Sequence, residues 1–378
     1  MNNSGRINGF DALRAIAMWL GVVLHALIVY KSVPEPNWPH DDSFNSEFLD
    51  WLYQYIHVFR MPLFFLVAGF FARLVITRSG IKYFRIQRTK RILIPFIIGV
   101  IVIVPVSLFP FHFYNGFYNG NLSIGQSLRH AVSQMLNWNG LLHLWFLYYL
   151  LFFYIIAVII YVFVRKSDFN FSLTLQKSFG KISLMKIFIA VLVLYLLLFG
   201  FKVFTPPVYT GIKPNIIYLL YYGFFFTLGW LMQINMNSVN SLTRFGWWLF
   251  IAGSALSVLR FLEPEFIDIT FQYFFVALET ICLVAGLTGI FIKHCNLESK
   301  LWRYFSDASY WVYLIHISIV VTLQVLMLYS VIPGWFRMPL VIIVTFAITM
   351  ITYHYFVRYT IIGEYLHGKR IRPSKPRL

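Results

Sequence analysis

FDALRAIAMWLGVVLHALIVYK (residues 10–31) is long enough to cross a bilayer, yet it carries Asp11, Arg14 and His25 inside an otherwise apolar run. At 100° per residue, Arg14 and His25 fall about 20° apart around a helix axis and ~16 Å apart along it, on one face. Asp11 lies one turn before Arg14 on that side, so the two can pair. A charge at the centre of a span costs about 2.5–3.5 kcal/mol on insertion scales and by default marks a functional interior. The plainer alternative is that Arg14 snorkels to the interface while His25 makes a helix–helix hydrogen bond.

Composition places the rest of the chain in the same setting. Of 378 residues, 59% are hydrophobic and only 12% charged, and the mean hydropathy is +0.71. Those values exclude an ordinary soluble domain and fit an all-α polytopic membrane protein. A net charge of +17 raises nucleic acid as a partner, but the basic residues sit in short loops between apolar runs, which is the positive-inside pattern. Cys282 and Cys295 offer neither a disulfide framework nor metal spacing, so no metal is expected. The first run lacks a small-residue cleavage site and reads as a retained helix, not a signal peptide.

Hydropathy predicts about ten spans, at roughly 10–31, 51–76, 92–111, 141–164, 184–204, 216–235, 245–261, 270–292, 307–330 and 338–358. With alternating spans, the basic loops 73–91, 165–186 and 293–303 fall on one side with the tail from Lys369. The acidic loops 32–50 and 262–269 fall on the other. Both termini are therefore expected in the cytoplasm. The expected organisation is a single transmembrane domain over 1–368 and a basic cytoplasmic tail over 369–378. Loop 112–140 has room only for a small lid. No internal repeat is present, which weakens a transporter built of two related halves.

Depth sorts the remaining polar groups. His25, His57, Arg60, His143, Glu279 and His316 fall toward the outer half of the membrane. Asp11, Arg14, Arg88, Arg91, Ser306 and Asp307 fall toward the inner side. Each alone suits a structural role: Arg60 can pair with Glu279, Arg88 and Arg91 can be orientation charges, and His143 beside Trp145 can belong to an interface belt. Together they ask for more, because buried polar groups in lipid need partners. A histidine in a dry site can act as general base toward a hydroxyl, oriented by a carboxylate such as Glu279. No G-x-S-x-G elbow and no H-E-x-x-H motif occurs, so direct transfer from a bound activated donor is the simpler chemistry. A cationic inner mouth suits a phosphate-bearing donor, and the long thin pantetheine arm of coenzyme A suits the ~16 Å rise.

The ordered set DALRAIA with His25, FRMPLFFLVAGFF (59–71), RTKRILIPF (88–96), HLWFLYYL (143–150) and SYWVYLIH (309–316) resembles the signature of the membrane acyltransferase 3 family over about the first 320 residues. The H-x-F-R-M run at His57 to Met61 is most similar to a branch that acylates periplasmic glucans. The resemblance implies an O-acyltransferase of the inner membrane, multi-pass, that moves a succinyl or acetyl group from cytosolic acyl-coenzyme A to hydroxyls of an extracytoplasmic glucan or other cell-envelope carbohydrate. It maps Arg14 and His25, with His57 and Arg60, onto the family's functional positions. The expected catalytic set is thus His25, Arg14, His57, Arg60 and Glu279. Arg88, Arg91 and Asp11 are expected at the donor, and His143, Trp145 and His316 at the acceptor, with no permanently bound cofactor. A carbohydrate or lipid flippase using the same polar core is the competing expectation.

Overall fold

A computed structural model describes residues 7–137, 140–166, 181–206, 208–262, 268–328 and 330–371. Every regular element among them is helical. In chain order these are α1 (Asn8–Leu27), α2 (Glu47–Arg88), α3 (Ile94–Ile98), α4 (Val104–Tyr114), α5 (Ile124–Gln134), α6 (Trp145–Lys166), α7 (Leu184–Phe201), α8 (Ile216–Met232), α9 (Met236–Leu262), α10 (Ile269–His294), α11 (Lys300–Met327), α12 (Gly334–Thr352) and α13 (Ile361–Leu366). A 3-10 turn, Ile28–Tyr30, closes α1.

Eight helical stretches among the described residues are long and apolar enough to cross a membrane. One of them, Glu47–Asn119, is a 73-residue run that contains two of the expected spans. Its helical path bends where Gly80 takes φ 80°, ψ 166°, a backbone region open to glycine and strained for other residues. Short π turns at Thr89–Leu93 and Gly99–Ile103 carry the run onward, where a loop was expected between residues 76 and 92. The expected span 216–235 is a 17-residue apolar helix, Ile216–Met232. Isoleucines 97, 98 and 101, Phe163, Leu196, Trp248 and Ile343 are all exposed, as lipid-facing side chains must be.

The helices pack into two compact units. The first comprises residues 1–17, 54–86 and 146–303; the second comprises 18–53, 87–145 and 304–378. In the first unit, small residues let backbones touch. A Cβ on Gly69 of α2 would lie 1.9 Å from the Phe226 carbonyl oxygen of α8, and one on Gly229 would lie 1.8 Å from that of Leu66. Gly246, Gly286 and Gly289 do the same where α9 meets α10. Close approach of this kind replaces the hydrophobic drive that lipid does not supply. Phe65 then fills the centre, with ring centroids 5.0 Å from Phe146, 5.3 Å from Phe153 and 4.8 Å from Tyr222.

In the second unit, Trp19 of α1 stacks on Phe346 of α12 at 3.5 Å and 8°. Phe111 of α4 and Ile317, Val321 and Val325 of α11 form a buried cluster, with Trp38 packed against it. The segment from Lys31 to Ser46 is held by ion pairs. Lys31 pairs with Glu35 at 2.7 Å, and Asp41 and Arg337, both buried, form an ion pair. Arg337 also donates to the carbonyls of Ile332, at 2.7 Å, and Leu328, at 3.0 Å. The expected lid region starts as a continuation of the α4 helix to Asn119 and then forms α5, which Ser123 caps by accepting from the Gln126 amide while the Gln126 side chain returns the bond.

Candidate active site

α1 carries Asp11, Arg14 and His25 on one continuous helix, and its two polar ends belong to different units. Within the first unit, Asp11 is buried and Arg14 Nη1 stands 4.0 Å from its carboxylate. This is the i, i+3 pair expected from the spacing.

Three expected site residues meet in the second unit. The His25 and His316 ring centroids lie 5.2 Å apart, and those of His316 and His143 lie 5.5 Å apart. His143 and His316 are buried; His25 is half-buried. Their backbone contacts assign the tautomers. His316 Nδ1 faces the carbonyl oxygens of Val312 and Tyr313 at 3.1 and 2.8 Å. Carbonyls only accept, so Nδ1 carries the hydrogen and Nε2 is the basic nitrogen of the neutral ring. His143 is reversed: Nε2 donates to the Leu314 carbonyl at 3.1 Å, and Nδ1 is the basic nitrogen, with no hydrogen-bond partner among the described residues. Tyr313 fastens the row by donating to the His143 carbonyl at 2.7 Å. Trp145 opens α6 two positions beyond His143. An imidazole of this row can take a proton from a hydroxyl brought to it.

Trp38 and Gln324, neither apparent as site residues in the sequence, complete this cluster. The Trp38 indole lies nearly parallel to the His25 ring, 13° between planes and 5.7 Å between centroids. Gln324 is the kind of polar residue inside a span that had singled out Arg60 and Glu279, so the same criterion would have found it.

His57 and Arg60 sit one turn apart on α2, both half-buried. Glu279 is buried on α10. Its carboxylate is held by Arg260 of α9, with a further hydrogen bond from Ser257. The expected structural partner of Glu279 is Arg60, and the residue that holds its carboxylate is Arg260.

A basic cluster occupies the second unit around the start of α11. Arg88 ends α2, and Arg91 lies in the π turn that follows. The Arg91 guanidinium lies against Gly368, where a Cβ would come within 2.6 Å of Nη2. Arg370 pairs with Asp307 at 2.6 Å. Between them His367 donates from Nδ1 to the Gly368 carbonyl at 2.8 Å. Burial holds the His367 imidazole below its usual range, and Arg370 and Arg91 push the same way against Asp307. The guanidinium groups of Arg91 and Arg370, gathered with the His367 imidazole, suit an anionic ligand better than a neutral one. Asp307 and His316 share α11, and their separation in sequence corresponds to ~14 Å along its axis.

No solved structure matches the chain. Two relatives named "Glucans biosynthesis protein C", from Escherichia coli strains SMS-3-5 / SECEC and SE11, are each 24% identical to it over 374 residues, covering 96% of this chain and 94% of the relative. The acyltransferase domain profile matches residues 7–354, which take in the histidine row, the Arg14 pair and Arg88 and Arg91; the chain belongs to the acyltransferase 3 family and is an acyltransferase.

Proposed function

We propose that the protein is a multi-pass O-acyltransferase of the inner membrane that moves a succinyl or acetyl group from cytosolic acyl-coenzyme A to a hydroxyl of an extracytoplasmic glucan or related envelope carbohydrate. The observation that carries this reading is the row of His25, His316 and His143. The glucan as acceptor rests on the relatives' printed name. Family membership favours transfer over the flippase reading.

In the proposed reaction, His25 accepts the acceptor hydroxyl proton as that oxygen bonds to the acyl carbon. The carbon–sulfur bond breaks, and the departing thiolate takes up the proton. His316 and His143 brace the imidazolium that forms transiently. Arg14, with Asp11, holds the donor arm, while Arg88 and Arg91 meet the donor phosphates. His57, Arg60 and Glu279 complete the proposed catalytic set. Arg60 has the planar fork that a succinyl carboxylate would need. Trp145 lines the acceptor side with His143.

The reading places ten spans in one domain over residues 1–368, with both termini and the tail 369–378 in the cytoplasm. Reporter fusions after Leu378 and near Asn119 test the sidedness: cytoplasmic activity at the first and periplasmic activity at the second are expected. Purified protein incubated with labelled acyl-coenzyme A and glucan tests the chemistry. Label on the carbohydrate is the expected result, and its absence with both succinyl and acetyl donors overturns the assignment.

A further inference from the structure

The end of α1 is where His25 must be held, and it is a weak point of the backbone. An α-helix leaves its last four carbonyls without regular partners. Here α1 stops at Leu27 and tightens into the 3-10 turn Ile28–Tyr30, so the carbonyls of His25 and Ala26 both lie in that last turn. Gln324 of α11, only 1% exposed, supplies the donor. Its Nε2 reaches the His25 carbonyl oxygen at 3.0 Å and that of Ala26 at 3.3 Å.

The other end of the same amide faces Trp38, whose Nε1–H donates to Gln324 Oε1 at 3.1 Å. The indole N–H can only donate and the two carbonyls can only accept, so the amide has one orientation that satisfies all three. Trp38 is itself fixed. It meets Phe111 edge-on at 5.0 Å, and the neighbouring His40 amide donates to the Tyr114 hydroxyl at 3.4 Å. Three residues after Trp38, Asp41 is locked to Arg337. One buried amide therefore grips both the backbone of His25 and the ring stacked on its imidazole.

We infer that Gln324 is a positioning residue for His25, setting the imidazole against Trp38 at the angle that transfer requires. The inference rests on the assignment of His25 as the base. A displacement of about 1 Å at a reacting group can cost on the order of 10²-fold in rate. The predicted defect therefore falls on kcat and leaves substrate binding alone.

The test is kcat and KM for labelled acyl-coenzyme A and glucan in the purified full chain. Gln324→Met keeps the volume and loses all three bonds; Gln324→Glu keeps the acceptor for Trp38 and loses the donors to α1. Both should lower kcat about 10- to 100-fold with KM within about twofold. Trp38→Phe keeps a ring on His25 and loses its bond to Gln324. It should lower kcat about threefold to tenfold alone and add nothing to Gln324→Met, because the two act through one contact. Kcat within twofold of wild type in both Gln324 variants, a defect confined to KM, or independent multiplication of the Trp38 and Gln324 effects would overturn the inference. The base assignment fails separately: His25→Gln turning over like wild type removes it, whereas an inactive His25→Gln beside fully active Gln324 variants keeps the base and discards the positioning role.

Discussion

His25 and His316 come from opposite ends of the chain, and their imidazole centroids lie 5.2 Å apart. His316 commits Nδ1 to its own helix and stands between His25 and His143, so the middle ring of the row has its tautomer assigned by backbone carbonyls.

His25→Ala should abolish transfer while membrane insertion and expression stay near those of wild type. General base catalysis is typically worth about 10²–10⁴-fold, and His25→Gln should lose a similar factor because its amide does not titrate. Rates with labelled donor check both. Near-native turnover in His25→Gln would make His25 a packing residue.

His316→Asn keeps a donor near the Nδ1 position and removes the basic nitrogen. We expect about a tenfold or greater loss in turnover with normal yield of folded protein. A variant that is equally active would reduce His316 to a helix contact.

Arg88→Ala and Arg91→Ala should raise KM for acyl-coenzyme A by roughly tenfold each, in keeping with loss of a charge-assisted contact of about 1.5 kcal/mol, and leave KM for glucan unchanged. Unaltered donor KM in correctly inserted protein would return both residues to a topological role. The same cluster has a pH signature. The folded-state pKa of His367 is lowered, so its contribution to stability is complete above the ordinary histidine pKa near 6.5 and is lost as pH falls below it toward the folded value. Thermal melting across that window should show a loss on acidification that His367→Gln reduces.

Arg260→Ala leaves the Glu279 carboxylate buried without its cation. Breaking a buried pair in this way costs on the order of 3 kcal/mol. The expected result is a lowered melting temperature in detergent, partly recovered in the double variant Arg260→Ala/Glu279→Gln. A melting temperature unchanged in Arg260→Ala would show the pair to be energetically neutral.

Sequence alone determined what is local. Apolar runs of sufficient length specify membrane-spanning helices whatever surrounds them. The Asp11–Arg14 pair follows from helical spacing, and so does the sharing of one helix by Arg14 and His25. The ordered motifs carried the family. What only the tertiary structure decided is which way each helix faces. An α-helix that is apolar nearly all round has no strong amphipathic signal to set its rotation. Facing is settled instead by close glycine contacts such as Gly69 with Phe226 and by buried polar bonds. That is why His143 and His316, expected at the acceptor, join His25 in one row. For the same reason Glu279 binds Arg260, and Gln324, unremarked in the sequence, ends at the backbone of His25.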